Sequence, residues 1–214
     1  MNTFTKRRKK IEDREMKSKV SPQMQTSAVV ITGTPGTGKT TISKSLARRL
    51  DADYLSLSKL ILDKKLYAAV DQRRRTKVVN PDRTRAWLRR SLRKIPRLTI
   101  LDTHLADVIP QENVVKVVVL RCHPKILEAR LRKKGWRVLK VRENVLAEIL
   151  DSCYVIAAEY YGTKKTVQLD TSRTSVSATV NQCIAILQKQ VPRKLTVDWI
   201  AVLNRERSLE RYLR

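Results

Sequence analysis

Gly33-Thr34-Pro35-Gly36-Thr37-Gly38-Lys39-Thr40-Thr41 is a complete G-x-x-x-x-G-K-T loop, set directly behind the apolar run Ala28-Val29-Val30-Ile31. Glycines at 33, 36 and 38 let a backbone turn sharply and aim successive N–H groups inward, and the helix that starts near Gly38 adds the positive end of its dipole. The guest such a cradle fits is the phosphate chain of a nucleoside triphosphate. In that role Lys39 reaches the β- and γ-phosphates, the Thr40 hydroxyl goes to Mg²⁺, and Thr41 donates to the α-phosphate. An apolar strand before the loop and the helical pattern Ile42, Leu46, Leu50 after it are the context the motif needs. The plainer alternative is a Gly/Thr turn ahead of an ordinary helix.

A phosphate loop does not by itself separate a kinase from a GTPase or a motor ATPase. The run Leu98-Thr99-Ile100-Leu101-Asp102 is an apolar strand that ends in a carboxylate, where α/β folds place the acid that holds Mg²⁺ through its water shell. His104 follows two residues later and titrates near neutrality in water, which suits a group that orients or deprotonates a nucleophile; a structural histidine at a strand end is the competing reading. No N-K-x-D signature for guanine follows, so adenine or a permissive pocket is expected. The segment Ala129-Arg130-Leu131-Arg132-Lys133-Lys134-Gly135-Trp136-Arg137 is dense in cations and suits a flap closing over transferring phosphates, or is one more basic patch in a basic chain.

The elements that must position these groups alternate. Strands are expected at 28–32, 54–55, 98–102, 114–120 and 166–169. Helices are expected after the loop to Leu50, at about 58–66, after Asn80-Pro81, from Pro124 to about 134, from about 142 to 161 before Gly162, and at about 175–190. Asn80 caps and Pro81 fits the first helical position. Five strands with helical crossovers make an α/β fold with a doubly wound five-stranded parallel sheet, ending near residue 190. Beyond Pro192, Trp199, Val202, Leu203, Leu209 and Tyr212 form a discontinuous apolar stripe among Arg205, Arg207 and Arg211, read as one added amphipathic C-terminal helix over 196–214 that packs on the domain or docks a partner.

The 214 residues carry 46 Lys and Arg against 20 Asp and Glu, a formal charge of +26, far beyond what a nucleotide needs. A polyanionic partner is expected through phosphate contacts, since the few scattered aromatics give base stacking little support. Residues 1–27 are charged and then Ser/Pro/Gln-rich, a basic extension expected to be disordered. Cys122, Cys153 and Cys183 are widely spaced and read as reduced, mostly buried thiols. No apolar run reaches membrane-span length, and Lys6-Arg7-Arg8-Lys9-Lys10 has no apolar h-region after it. A cytoplasmic location is expected, or a nuclear one in a nucleated cell, with no membrane contact.

Together the loop, the Asp-x-His element Leu101-Asp102-Thr103-His104, and Leu120-Arg121 through Arg130-Leu131 to Gly135-Trp136 resemble the ribosome-assembly-associated adenylate kinases, the small nuclear and archaeal type. The resemblance covers about residues 28–190. Its specific part is Asp-x-His, where ordinary adenylate kinases carry Asp-Gly-x-Pro-Arg. It implies a P-loop nucleoside monophosphate kinase architecture with reversible phosphoryl transfer from ATP to AMP. It further implies ATP hydrolysis linked to small ribosomal subunit maturation, and binding to a small-subunit ribosomal protein. By position, Gly33, Gly36, Gly38, Lys39, Thr40 and Thr41 bind ATP, Asp102 and His104 supply the Mg²⁺ and catalytic element, and Arg130 is the lid arginine on ATP. Residues at about 56–79 bind the monophosphate and about 129–139 form a short, zinc-free lid.

Leu60, Ile61 and Leu62 stand where the family carries an arginine early in the monophosphate-binding helix, and Asp71-Gln72-Arg73-Arg74-Arg75 stands where members tend to be acidic. Arg73, Arg83 or Arg85 is left to supply the acceptor cation, or those arginines hold ribosomal RNA. The expected activity is a Mg²⁺- and ATP-dependent adenylate kinase with ATPase activity on or near the assembling small subunit. The alternatives are an RNA- and ribosomal-protein-binding assembly ATPase with little kinase turnover, and a different small-molecule or polynucleotide kinase on the same scaffold.

Overall fold

The computed structural model describes residues 27–71, 76–95, 97–189 and 196–213. The basic extension expected at the amino terminus, apart from Ser27, and the arginines Arg73, Arg74 and Arg75 lie outside the described residues.

Strand β1 (Ala28–Thr32) is buried at every position, as a run of small and β-branched apolar residues must be to sit at the centre of a sheet. Helix α1 (Lys39–Leu50) follows the loop, then β2 (Asp53–Ser56), α2 (Leu57–Asp63), a hairpin of β3 (Tyr67–Asp71) and β4 (Thr76–Val79), and α3 (Pro81–Leu92). Strands β5 (Thr99–Asp102) and β6 (Val114–Arg121) come next, then α4 (Pro124–Lys133), α5 (Val138–Ile149), α6 (Ser152–Tyr161), β7 (Thr166–Asp170) and α7 (Val176–Leu187). Two short helices close the described chain, α8 (Trp199–Arg205) and α9 (Glu210–Leu213).

Five strands form one parallel sheet in the order β2-β5-β1-β6-β7, the doubly wound arrangement expected. The sheet order reverses between β1 and its two neighbours, and ligands of such sheets bind at that reversal, beyond the carboxyl ends of the strands. Register makes this concrete: Ile31 lies opposite Asp102, so the loop leaves β1 beside the carboxylate that ends β5.

Side chains alternate across the sheet with the two-residue strand period. Val30, Leu101, Val117 and Val119 pack one face against Leu57, Leu88, Ile109 and Ala157. Val29, Ile31, Ile100, Val118 and Leu120 pack the other against Ile42, Leu46, Val180 and Ile184. A third cluster lies off the sheet, where Leu127, Leu131, Val141, Val145 and Ile149 of α4 and α5 enclose Leu203 and Tyr212 of the C-terminal segment.

Several local expectations change. One helix expected over 142–161 is two, broken at Asp151, whose left-handed backbone (φ 56°) starts α6 while its carboxylate pairs with buried Arg121. The single C-terminal helix is likewise α8 and α9, parted by Arg207 at φ 51°. Helix α2 stops at Asp63, short of Leu66, because Lys65 turns left-handed and the N–H groups of Lys65 and Leu66 bond back to Leu62 and Ile61. The hairpin β3–β4 was not anticipated. Asn80 does cap α3, its side chain accepting from Arg83 N at 3.0 Å with Pro81 behind it.

Cys122, Cys153 and Cys183 are free thiols, and burial pushes Cys122 up to about 11 and Cys183 up to about 12. Among the described residues no helix is long and apolar enough to cross a membrane.

Candidate active site

The loop between β1 and α1 is shaped by two close approaches. Gly33 (φ 136°) passes so near β6 that a Cβ there would lie 2.3 Å from the Leu120 carbonyl oxygen. Gly36 (φ 97°) touches α4, where a Cβ would meet Leu127 Cδ1 at 2.8 Å and Leu131 Cδ2 at 3.0 Å. No other residue satisfies both the positive φ and the space. Gly38, also at positive φ, caps α1.

Lys39 folds its amine back over the loop, donating to the carbonyls of Gly33 (2.8 Å) and Thr34 (3.1 Å). Burial holds its pKa below the usual lysine value, against the pull of Cys153, Asp102 and Glu148. The Thr37 hydroxyl also donates to Thr34 O (2.9 Å), and the Thr171 hydroxyl from the end of β7 donates to Thr37 O (2.9 Å). The loop is therefore tied to itself and to the far side of the sheet.

Thr40 Oγ1 donates to Asp102 Oδ2 at 2.6 Å, and Tyr54 Oη donates to the same oxygen at 3.2 Å. Burial, reinforced by the neighbouring Asp102 charge, raises the Tyr54 pKa, so the phenol stays a donor through the neutral range. Asp102 is buried, whereas Thr40 is exposed. A hydroxyl and a carboxylate side by side at the sheet's reversal form an all-oxygen donor set that fits a hard divalent cation such as Mg²⁺. Among the described residues no group of three or more His, Cys, Asp or Glu could hold a metal unaided, so a cation here would take most of its ligands from phosphate and water.

His104 stands beyond Asp102 with its surface open to solvent. The protein around it and the Lys39 charge lower its pKa from 6.5, partly offset by Asp102, so the neutral imidazole prevails at pH 7. Thr103, between them, fixes the turn: its N–H reaches Ile31 O (3.2 Å) and its hydroxyl accepts from Leu105 N (2.8 Å).

Arg130 projects from α4 against the loop, its guanidinium within 3.5 Å of Gly36 O, 3.3 Å of Thr171 O and 3.4 Å of Cys122 Sγ. Beside it, Gly38, Thr41, Ile42, Thr174, Val176 and Thr179 line a cavity of about 280 Å³ that opens from the loop. Its mixed apolar and hydroxyl lining suits a nucleoside. The structure thus gathers Gly33, Gly36, Gly38, Lys39, Thr40, Asp102, His104 and Arg130 around one loop, with Thr41 on the cavity side. Sequence reasoning missed Tyr54 and Thr171, and it missed buried Glu148, which accepts the Thr34 hydroxyl at 2.5 Å.

On the other side of Asp102, α2, the β3–β4 hairpin and α3 border the region expected to take a monophosphate. Leu60 and Ile61 are core residues and Leu62 is half exposed, so none supplies a cation. Of the arginines considered, Arg83 is exposed, whereas Arg85 is half-buried and reaches Asp107 O at 3.1 Å, in the segment that follows His104. Arg85 also lies 6.0 Å from the Tyr160 ring, and its Nε is buried with no hydrogen-bond partner.

A family model described as an AAA domain matches residues 29–151. A protein of Methanocaldococcus jannaschii named "Putative adenylate kinase" is 35% identical over 171 residues, covering 80% of this chain and 92% of that protein. A Pyrococcus abyssi protein of the same name is 34% identical over 177 residues, covering 82% and 93%. Among solved structures, shikimate kinase from Bacteroides thetaiotaomicron superposes with a TM-score of 0.53 at 19% identity, over 76% of this chain and 98% of that one. Shikimate kinase from Acinetobacter baumannii in complex with shikimate gives a TM-score of 0.52 at 16% identity, covering 78% and 96%. The structural likenesses concern the fold alone.

Proposed function

This chain belongs to the P-loop nucleoside monophosphate kinase family of those archaeal relatives, and from that membership we propose that it transfers the γ-phosphoryl group of ATP to AMP. It is a nucleotide kinase, a phosphotransferase. The observation that supports the finer reading is the 2.6 Å contact of Thr40 with Asp102 beside the Lys39 amine, an oxygen pair of the kind that suits a divalent cation next to a cation that suits phosphate.

In-line transfer needs positioning and charge neutralisation more than covalent chemistry. Lys39 and Arg130 would neutralise the phosphoryl oxygens, each exchanging its present carbonyl acceptors for phosphate. Thr40 directly, and Asp102 through water, would hold Mg²⁺, which when bound offsets the charge of the β- and γ-phosphates. His104, neutral at pH 7, would donate its ring N–H to the acceptor phosphate, or accept a hydrogen bond from a water, and so orient it. Tyr54 keeps Asp102 aimed at Thr40. Arg85, the half-buried arginine that reaches Asp107 O in the segment after His104, would bind the acceptor phosphate.

The proposal extends to ATPase activity, to a role in small ribosomal subunit maturation, and to contact with ribosomal RNA and a small-subunit ribosomal protein in the cytoplasm or nucleus. The charge of +26 supports a polyanionic partner. The missing cation at Leu60 to Leu62 favours a second reading, an assembly ATPase that binds RNA and protein and turns over AMP poorly.

An acceptor panel tests the first reading: AMP should be consumed faster than a 5′-hydroxyl oligonucleotide, and the reverse order would point to a polynucleotide kinase. A titration with small-subunit ribosomal RNA tests the partner, since binding should be micromolar or tighter at low salt and fall steeply as salt is added. Binding indifferent to salt would contradict it.

A further inference from the structure

Thr34 is the hub of the phosphate loop. Its carbonyl takes the Lys39 amine, the Thr37 hydroxyl and the Thr37 N–H, while its own buried hydroxyl donates to Glu148 Oε2 at 2.5 Å. Glu148 lies on α5, 114 residues away, and is 1% exposed. Its other oxygen, Oε1, accepts from Arg121 Nε (2.8 Å), from Cys122 N (3.0 Å) and from the indole Nε1 of Trp199 (2.9 Å). Arg121, also 1% exposed, is completed by Gln168, the Glu148 carbonyl and Asp151.

A buried carboxylate is tolerated only when its lone pairs are met, and a carboxylate is a rigid plane. What holds Oε1 therefore sets where Oε2 lies, and with it the Thr34 hydroxyl. Arg121 and Cys122 come from the sheet. Trp199 comes from the C-terminal segment, which is seated on α4 and α5 and meets the sheet through Arg121, whose guanidinium reaches Val197 O at 3.4 Å and lies 6.0 Å from the Trp199 ring. Leu203 and Tyr212 pack among Leu127, Leu131, Val141, Val145 and Ile149, and Arg211 pairs with Glu128 of α4 at 2.8 Å. Glu206 reaches His123, the residue that caps α4, whose ring stands edge-on to Trp199 at 5.3 Å.

We propose that Trp199 is a positioning residue for the nucleotide: through Glu148 it sets the Thr34 hub, so that seating of the C-terminal segment on α4 and α5 tunes how tightly the loop holds ATP. This rests on the reading that the loop binds ATP. The indole contributes one donor and no acceptor, and Trp199→Phe retains an aromatic ring while removing the N–H together with part of the bicyclic surface. Purely structural packing of the segment would lower the melting temperature on such a change and leave nucleotide affinity alone.

The test uses the full chain and isothermal titration calorimetry with AMP-PNP and Mg²⁺. Trp199→Phe should weaken binding roughly threefold or more, less than the full worth of a hydrogen bond to a charged group, because that bond is present with and without nucleotide and only its hold on the Thr34 hub reaches the affinity. Thr34→Val should weaken it similarly, and the double variant should bind no worse than the weaker single one, because both act on one carboxylate. Wild-type affinity in Trp199→Phe, or simple additivity in the double variant, overturns the proposal. Lys39→Ala, run beside them, separates the two levels: if it binds AMP-PNP as the wild type does, the nucleotide-site reading fails and takes the proposal with it. Should Trp199→Phe not fold, a chain carrying Trp87→Phe and Trp136→Phe leaves Trp199 as the only tryptophan. Its emission should change on adding AMP-PNP, and unchanged emission at saturation overturns the proposal.

Discussion

Thr40 and Asp102, 62 residues apart in sequence, are joined by a 2.6 Å hydrogen bond at the one place where the sheet order reverses. Strand register brings them together: Ile31 sits opposite Asp102, and the loop that follows β1 carries Thr40 back across the strand end. Asp102→Ala should lower turnover by at least about a hundredfold, as when a preorganised electrostatic partner is removed from a transition state. The β5 end should remain folded, since the carboxylate makes no backbone hydrogen bond among those described for it. Steady-state rates with a thermal melt check both parts, and near-normal turnover in a folded variant contradicts the role.

For His104 the sign follows from the lowered pKa. Its neutral form is the active one, so activity should fall as pH drops, with an acid limb whose apparent pKa lies below 6.5. The stability linked to the same group is fully present above 6.5 and is lost as pH falls toward the lower folded value, because the unfolded chain then binds the proton first. A pH-rate profile of His104→Asn should lose that limb and turn over roughly ten- to a hundredfold more slowly at pH 7. An unchanged limb in the variant would assign it elsewhere.

Gly33→Ala should be the most damaging of the loop substitutions. The added methyl would meet the Leu120 carbonyl at 2.3 Å, a backbone atom that cannot step aside, at a φ of 136°. A cost of about 2 kcal/mol or more is expected, a fall in Tm of about 4–8 °C for a domain of this size. Gly135→Ala is the control, since nothing lies within 4 Å of its Cβ position and only the backbone strain remains. Equal melting of the two variants would mean that the β6 approach does not matter.

Arg85→Ala should raise the KM for AMP about tenfold or more and leave that for ATP unchanged, because the described contacts of Arg85 are with Asp82, Asp107 and Tyr160 and none is with the phosphate loop. Arg85→Lys should rescue little, as a point charge does not replace a planar fork on a phosphate. A change confined to the ATP KM would move Arg85 out of the acceptor site.

The sheet was legible because its central strands are short, β-branched and apolar, so that 28–32, 98–102 and 114–120 announce themselves, and because Asn80-Pro81 and Gly162 mark helix ends chemically. The break at Asp151 was not legible, since nothing local stops a helix there. It is set by a carboxylate turning toward an arginine 30 residues earlier. The β3–β4 hairpin escaped because its strands are short and the run Arg73-Arg74-Arg75 reads only as charge. Glu148 left a trace that went unused: with Val141, Val145 and Ile149 it completes the buried stripe of α5, and a carboxylate on an apolar stripe needs a partner. The C-terminal stripe was seen, but which surface it covers is a tertiary fact that periodicity does not hold.

Phosphoryl transfer to a nucleotide at the Lys39 loop is tested most directly by the initial rate of ADP formation from Mg-ATP by the purified protein, with and without AMP, alongside Lys39→Ala. The expected result is a large AMP-dependent rise that the variant loses. A low rate that is indifferent to AMP yet lost in Lys39→Ala would contradict transfer to AMP and leave an ATPase, while an AMP-dependent rate that survives in Lys39→Ala would take the activity away from this loop altogether.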